Sequence, residues 1–195
     1  MILFHFYSVR ICIVAATEME VSLLRNLLQP SSVNIRFVIH EVGMMQTMYH
    51  LMHAIQTERP DLLIQCGVAG TYRDTLTPGD VVWVQEERLG DLGAEDAAGL
   101  LDIYDLGLED KNQFPFKEGR LINPQTVLPE LQAVKAITVN LVAGQAQTIA
   151  LRRAKFDPDI ESMEGAALHY VALREQIPFM QIRGISNYVG PRNRE

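Results

Sequence analysis

Long apolar runs, runs of like charge and cysteine pairs are all missing from this chain of 195 residues. No apolar stretch approaches the ~18 residues that a membrane-crossing helix needs, so no membrane partner is expected. No cluster of Lys or Arg stands out against a formal net charge of -7, which argues against nucleic acid as a partner. Only two cysteines occur, Cys12 and Cys66, each inside an apolar, strand-like run. They read as buried free thiols in a reducing compartment, not as a disulfide frame. Cys and His show no metal-ligand spacing, and no metal or cofactor is implied. No repeat or low-complexity tract divides the sequence. Residues 1–7 are largely apolar but lack a basic start, and Arg10 interrupts the run, so a cytoplasmic protein is expected over an exported one.

What is present is an ordinary globular balance, 48% apolar and 21% charged residues, enough for one domain with a full core. Residues 10–16 are nearly all apolar, as in a buried strand. Thr17-Glu18-Met19-Glu20 then matches a helix capping box, and Val21, Leu24 and Leu28 share one stripe of the helix it opens. Residues 34–42 predict a strand and 45–58 a helix stopped by Pro60. Residues 61–66 predict a buried strand opening into Gly67-Val68-Ala69-Gly70, and 81–85 another strand after the turn Pro78-Gly79-Asp80. Periodicity is lost over 86–125, a length that in a compact domain usually serves function. Residues 128–135 read as weakly helical, 136–143 as a strand and 147–155 as a short helix. Residues 159–163 read as extended, 164–176 as an amphipathic helix and 179–185 as a strand. This alternation predicts an α/β layered domain.

In such folds ligands bind where strands end. Four strand ends carry polar or glycine-rich clusters: residues 17–20, 67–70, Met163-Glu164 and Ser186-Asn187. Three of them have a purely local explanation as well. Glu20 completes a capping box, Glu164 sits where a helix dipole favours a carboxylate, and Asn187 suits a turn. Arg183 is harder to explain locally, because a guanidinium in an apolar strand needs a carboxylate or a ligand.

Taken together, Ala16-Thr17-Glu18-Met19-Glu20-Val21, Gly67-Val68-Ala69-Gly70, Glu161-Ser162-Met163-Glu164-Gly165-Ala166-Ala167 and Arg183-Gly184-Ile185-Ser186-Asn187 resemble the purine nucleoside phosphorylase and nucleosidase superfamily. They stand in the family's order and cover nearly the whole chain. Gly90-Asp91-Leu92-Gly93-Ala94-Glu95-Asp96, Asn112-Gln113-Phe114-Pro115-Phe116 and Asn187-Tyr188-Val189-Gly190-Pro191-Arg192 are most similar to its futalosine hydrolase branch. The resemblance implies a phosphorylase/hydrolase-like, three-layer α/β/α domain with a mixed central sheet over residues 1–195, ending short of the family's C-terminal helix. It implies a small-molecule nucleoside substrate and a homodimer or larger assembly, with the loop near Phe114 reaching toward a neighbour's site. By the same resemblance Glu20 is the base that activates water, Arg183 lies near that water, and Asn187 contacts the leaving purine. Glu164 would bind the ribose hydroxyls, Met163 would pack on the sugar, and Val68, Ala69 and Gly70 would line the substrate site.

Asn187 stands where adenosine-type nucleosidases commonly carry Asp. As N7 becomes a donor, adenine shows two donors, which suit a carboxylate, while hypoxanthine shows a donor and an acceptor, which suit a carboxamide. Asn187 therefore favours a 6-oxopurine. The two carboxylates of Thr17-Glu18-Met19-Glu20 would repel phosphate, which favours water as the nucleophile. An adenosine-type nucleosidase, a phosphorylase and a non-catalytic nucleoside-binding relative are the competing readings.

Overall fold

The computed structural model describes residues 8–28, 33–96, 99–125 and 130–191. The N-terminal segment weighed above as a leader lies outside them. Strand β1 (Arg10–Ala15) shows why the domain is layered. Neighbouring side chains of a strand point to opposite faces. Cys12 and Val14 pack with Leu51 and Ile55 of helix α2 (Met44–Thr57) and with Leu168 and Val171 of α4 (Gly165–Glu175). Ile13 and Ala15 meet Val21 and Leu24 of α1 (Glu18–Leu27) on the other face. One strand thus belongs to two cores, and the helices form layers on either side of the sheet.

The sheet is mixed. Strands β2 (Asn34–Ile39), β1 and β3 (Leu62–Thr71) run parallel, and β10 (Phe179–Tyr188) runs parallel to β3 on its other side. From β10 the pairing continues to β4 (Val81–Leu89), β8 (Gln132–Thr138) and β9 (Ile160–Ser162), which returns to β3. Five strands therefore close on themselves, around Ala69, Val82, Val84, Val134, Ala136, Ile160 and Ile185. Closure leaves these strands without free edges. A short strand β7 (Leu121–Ile122) adds to β4, and β5 (Gly93–Asp96) pairs with β6 (Gly99–Asp102) as a separate hairpin. Helix α3 (Ala146–Phe156) packs Ile149 and Phe156 near Tyr72, Ile137 and Val139.

Three expectations need correction. Residues 132–135 are strand, not helix, because they pair with β4 throughout and the strand continues into its pairing with β9; tertiary pairing overrides a weak local preference. Gly67-Val68-Ala69-Gly70 lies inside β3, not beyond it, since β10 extends its pairing along the whole segment. The stretch after residue 85 begins as the second half of β4, and further on Phe116 packs between Tyr104 and Tyr170 of α4, with ring centroids 5.9 Å apart in both pairs.

A buried polar group joins β4, β8, β10 and α4. Glu87 is fully buried. Its carboxylate accepts hydrogen bonds from Gln181 Nε2 at 2.9 Å and Thr138 Oγ1 at 2.9 Å, while Thr138 Oγ1 accepts Ala166 N–H at 2.7 Å. Burial pushes the Glu87 carboxyl up to about 7, outweighing those donors, and pushes His169 down to about 3. Gly165 leaves the room this group needs, since a Cβ there would collide with Glu87 Oε1. A carboxyl with a raised folded pKa contributes its stability fully below the ordinary value near 4.5 and loses it as pH rises through about 7. Glu87→Gln, which keeps the neutral shape, is therefore expected to be more stable than wild type at pH 8, by on the order of 2–3 kcal/mol. The gain should vanish near pH 4.5; urea denaturation of both proteins across that range measures it.

Candidate active site

Parallel β1, β3 and β10 bring their C-terminal ends to one edge, so the clusters after β1, late in β3 and late in β10 become neighbours. Strand β9 runs antiparallel to β3, with Glu161 opposite Gly70, and carries the following Met163-Glu164 back alongside Val68. The β10 ladder shifts register between Ile185 and Asn187, a bulge that re-aims Asn187. The result is a cleft of about 460 Å³ lined by Glu20, Val68, Ala69, Gly70, Met163, Glu164 and Asn187, all named from the sequence. Glu161, Ser162 and Ser186, which stood in the sequence clusters without a role of their own, also line it, as do Val42 and Val142, which were not anticipated. Val42 follows β2, another strand end, and that position was its available signal.

Glu20 fulfils its local role and faces the cleft at once. Its Oε2 accepts Thr17 N–H at 2.8 Å and Thr17 Oγ1 at 3.1 Å, completing the capping box, while Oε1 accepts Val68 N–H at 3.2 Å. Capping and a place in the cleft are not alternatives, because the capping contacts use only Oε2. Glu18 does not share the site. It is exposed and pairs with Arg25 at 3.0 Å, so Glu20 alone of that pair lines the cleft.

Glu164 is 6% exposed and is the N-cap residue of α4. Its Oε1 accepts Gly43 N–H at 3.3 Å and its Oε2 lies 3.4 Å from Arg183 Nη1. Arg183 is buried and is not among the cleft-lining residues. It lies behind the cleft, with Nη2 donating to Gln65 Oε1 at 2.9 Å and Nη1 at 3.4 Å from Val68 O. The partner that the sequence required for this arginine is thus a carboxylate plus an amide. Asn187 is exposed; its Nδ2 donates to Tyr188 O at 2.9 Å and its Oδ1 accepts Ser186 Oγ–H at 2.8 Å. Glu161 is tied down by Tyr72 OH at 2.6 Å, Arg152 Nη1 at 3.2 Å and Ala143 N–H at 2.9 Å.

Cationic side chains are absent from the cleft lining among the described residues. Arg152 and Arg183 reach it only through Glu161 and Glu164. Gly67 is where β3 passes both key groups, and a Cβ there would overlap Arg183 Nη1 and stand 3.0 Å from Glu20 Oε1. Gly67→Ala is expected to displace the guanidinium from Glu164 and cost about 1–3 kcal/mol of stability, as overpacking does. Thermal denaturation measures the loss, and a structure of the variant shows whether Arg183 has moved.

Residues 10–195 match the family described as the Phosphorylase superfamily. The chain is 30% identical over 135 residues to futalosine hydrolase of Streptomyces coelicolor, covering 69% of this chain and 57% of that protein. It is 31% identical over 144 residues to the 5′-methylthioadenosine/S-adenosylhomocysteine nucleosidase of Haemophilus ducreyi, covering 68% and 58%. Futalosine hydrolase of Thermus thermophilus is 28% identical over 131 residues, covering 66% and 58%. The chain therefore spans somewhat over half the length of these curated relatives. Among solved structures, the Colwellia psychrerythraea 5′-methylthioadenosine/S-adenosylhomocysteine nucleosidase in complex with adenine superposes with a TM-score of 0.76 at 21% identity, over 95% of this chain and 85% of that one. The family match over residues 10–195 and the structural likeness agree with the layered α/β fold: the chain belongs to the phosphorylase superfamily.

Proposed function

We propose that this chain carries the active site of a nucleosidase that hydrolyses the N-glycosidic bond of futalosine, releasing hypoxanthine and dehypoxanthine futalosine. One observation carries the reading: Glu20, Met163, Glu164 and Asn187 line a single cleft whose lining, among the described residues, holds carboxylates and no Lys or Arg. A phosphorylase must hold a phosphate anion, and this lining would repel it. Water is a neutral nucleophile and needs a base, which Glu20 supplies.

In this mechanism Glu20 takes a proton from water as the water oxygen bonds C1′ of the ribose. The C1′–N9 bond breaks, its electron pair passes into the purine, N7 takes a proton from solvent, and Glu20 returns the proton it accepted to solvent. The sugar becomes cationic on the way, and the Glu164 carboxylate at the ribose hydroxyls stabilises it. Met163 packs against the sugar. Asn187 offers the purine an acceptor and a donor, matching N7–H and O6 of hypoxanthine. Similarity to two futalosine hydrolases favours this substrate, as does the carboxamide. The same reading makes the protein a cytoplasmic homo-oligomer, and the exposed apolar side chains of Met19, Leu23 and Leu27 on α1 and Met45 and Tyr49 on α2 support the association.

Chromatography of base release from futalosine, inosine and 5′-methylthioadenosine, each with and without phosphate, tests the proposal. Hypoxanthine from futalosine, indifferent to phosphate, is expected. Adenine release alone would overturn the substrate, and dependence on phosphate would overturn hydrolysis. Glu20→Gln should lower kcat by about 10²–10⁴-fold, the usual worth of a general base. Asn187→Asp should shift the hypoxanthine-to-adenine preference toward adenine in competition assays; an unchanged ratio would remove the carboxamide argument.

A further inference from the structure

Behind the cleft, buried polar groups form a closed ring that no motif announced. It runs from Arg183 through Gln65 to His40, along the backbone to Gly43, and through Glu164 back to Arg183. His40 and Gln65 are both buried and line neither wall of the cleft. The donors and acceptors fix every member. A guanidinium only donates, so Gln65 turns its Oε1 to Arg183 Nη2 at 2.9 Å and its Nε2 to His40 Nε2 at 3.2 Å. The amide nitrogen only donates, so His40 Nε2 is a bare acceptor and the ring proton is on Nδ1. Its neighbours agree. His40 Nδ1 lies 2.8 Å from Glu41 O and 3.0 Å from Thr47 Oγ1, and Thr47 has committed its one hydrogen to Gly43 O at 2.9 Å. Both neighbours therefore accept from Nδ1–H. The ring closes where Gly43 N–H donates to Glu164 Oε1 and Glu164 Oε2 meets Arg183.

We propose that His40 is a positioning residue for Glu164 and Arg183. As a neutral Nδ1–H imidazole it holds the Gln65 carbonyl toward the guanidinium, and its protonation undoes that hold. The inference rests on the cleft being the nucleosidase site. A proton on His40 Nε2 would face the Gln65 N–H, donor against donor. Gln65 would relieve this by turning over, which would point its amide nitrogen at Arg183. Among the described residues Arg183 would then lose its 2.9 Å bond and keep only the contacts at 3.4 Å to Val68 O and Glu164, its Nε already lacking a partner there. Glu164 and the turn bearing Val42 would loosen together, because Gly43 joins them.

The groups facing His40 are Glu20 of α1, Thr47 of α2, Gln65 of β3, Glu164 at the head of α4 and Arg183 of β10. Burial lowers the imidazole from its ordinary value, against the pull of the Glu41 carbonyl, Glu164 and Glu20 and with the aid of Arg183. The neutral form is thus the resting form at pH 7, and the switch operates on the acid side of 6.5.

The test compares wild type, His40→Gln and His40→Ala. Glutamine places an acceptor near the position of Nε2 and cannot become charged. Nitrogen-15 NMR of the histidine side chains at pH 7.5 should find His40 neutral with its proton on Nδ1. In base-release kinetics from pH 5 to 8, His40→Ala should lose about 10–100-fold in kcat with a few-fold change in KM. His40→Gln should recover most of that loss, and its activity should persist to lower pH than that of wild type. Superimposable pH profiles of wild type and His40→Gln, or an Nε2–H or charged imidazole at pH 7.5, would overturn the proposal. If wild type releases no base from any nucleoside, the nucleosidase reading fails, and with it any catalytic role for His40. The NMR result then decides the hydrogen-bond ring alone.

Discussion

A guanidinium that is 1% exposed cannot rely on water, and the buried Arg183 sets the terms for everything near it. It needs oxygen acceptors, and the fold provides three: Gln65 and the Val68 carbonyl of β3, and the Glu164 carboxylate at the head of α4. It needs space, and Gly67 provides it beside Glu20. It must also be balanced in charge, and Glu164 does so while keeping an edge on the cleft. One buried cation thereby fixes the relative positions of β3, β10 and the start of α4, the elements that bring the site together.

Sheet closure is the second constraint. Because β9 returns to β3 in the antiparallel sense, a segment more than ninety residues from Val68 in the chain comes to lie beside it. Glu164 then starts a helix at the same edge where β1, β3 and β10 end. The carboxylates of the cleft are treated differently by this arrangement. Glu161 and Glu164 are paired with arginines, whereas among the described residues Glu20 accepts hydrogen bonds only from Thr17 and from the backbone of Val68.

The local features were legible where one short segment carries the whole cause. The capping box at Thr17 and Glu20, the apolar run of β1 and the helix stopped before Pro60 each depend on residues a few positions apart. The helical expectation for residues 128–135 failed over 132–135 because β4 lies some fifty residues away in the chain and dictates an extended backbone there. Arg183 announced that it needed a partner but not which one. Neither Gln65 nor His40 stood out, since a polar residue within an apolar stretch does not reveal what it faces.

The sequence by itself determined the α/β alternation, the family and the polar residues at the strand ends, all of which are properties of order and local spacing. Only the tertiary structure decided that Glu20 faces the cleft and Glu18 does not, that Arg183 lies behind the cleft, and that His40 is linked to it through Gln65. Those facts depend on which face of each strand turns inward and on which distant donor meets which acceptor. A hydrogen bond across the sheet is set by register and packing, and neither is recorded in the spacing of residues along the chain.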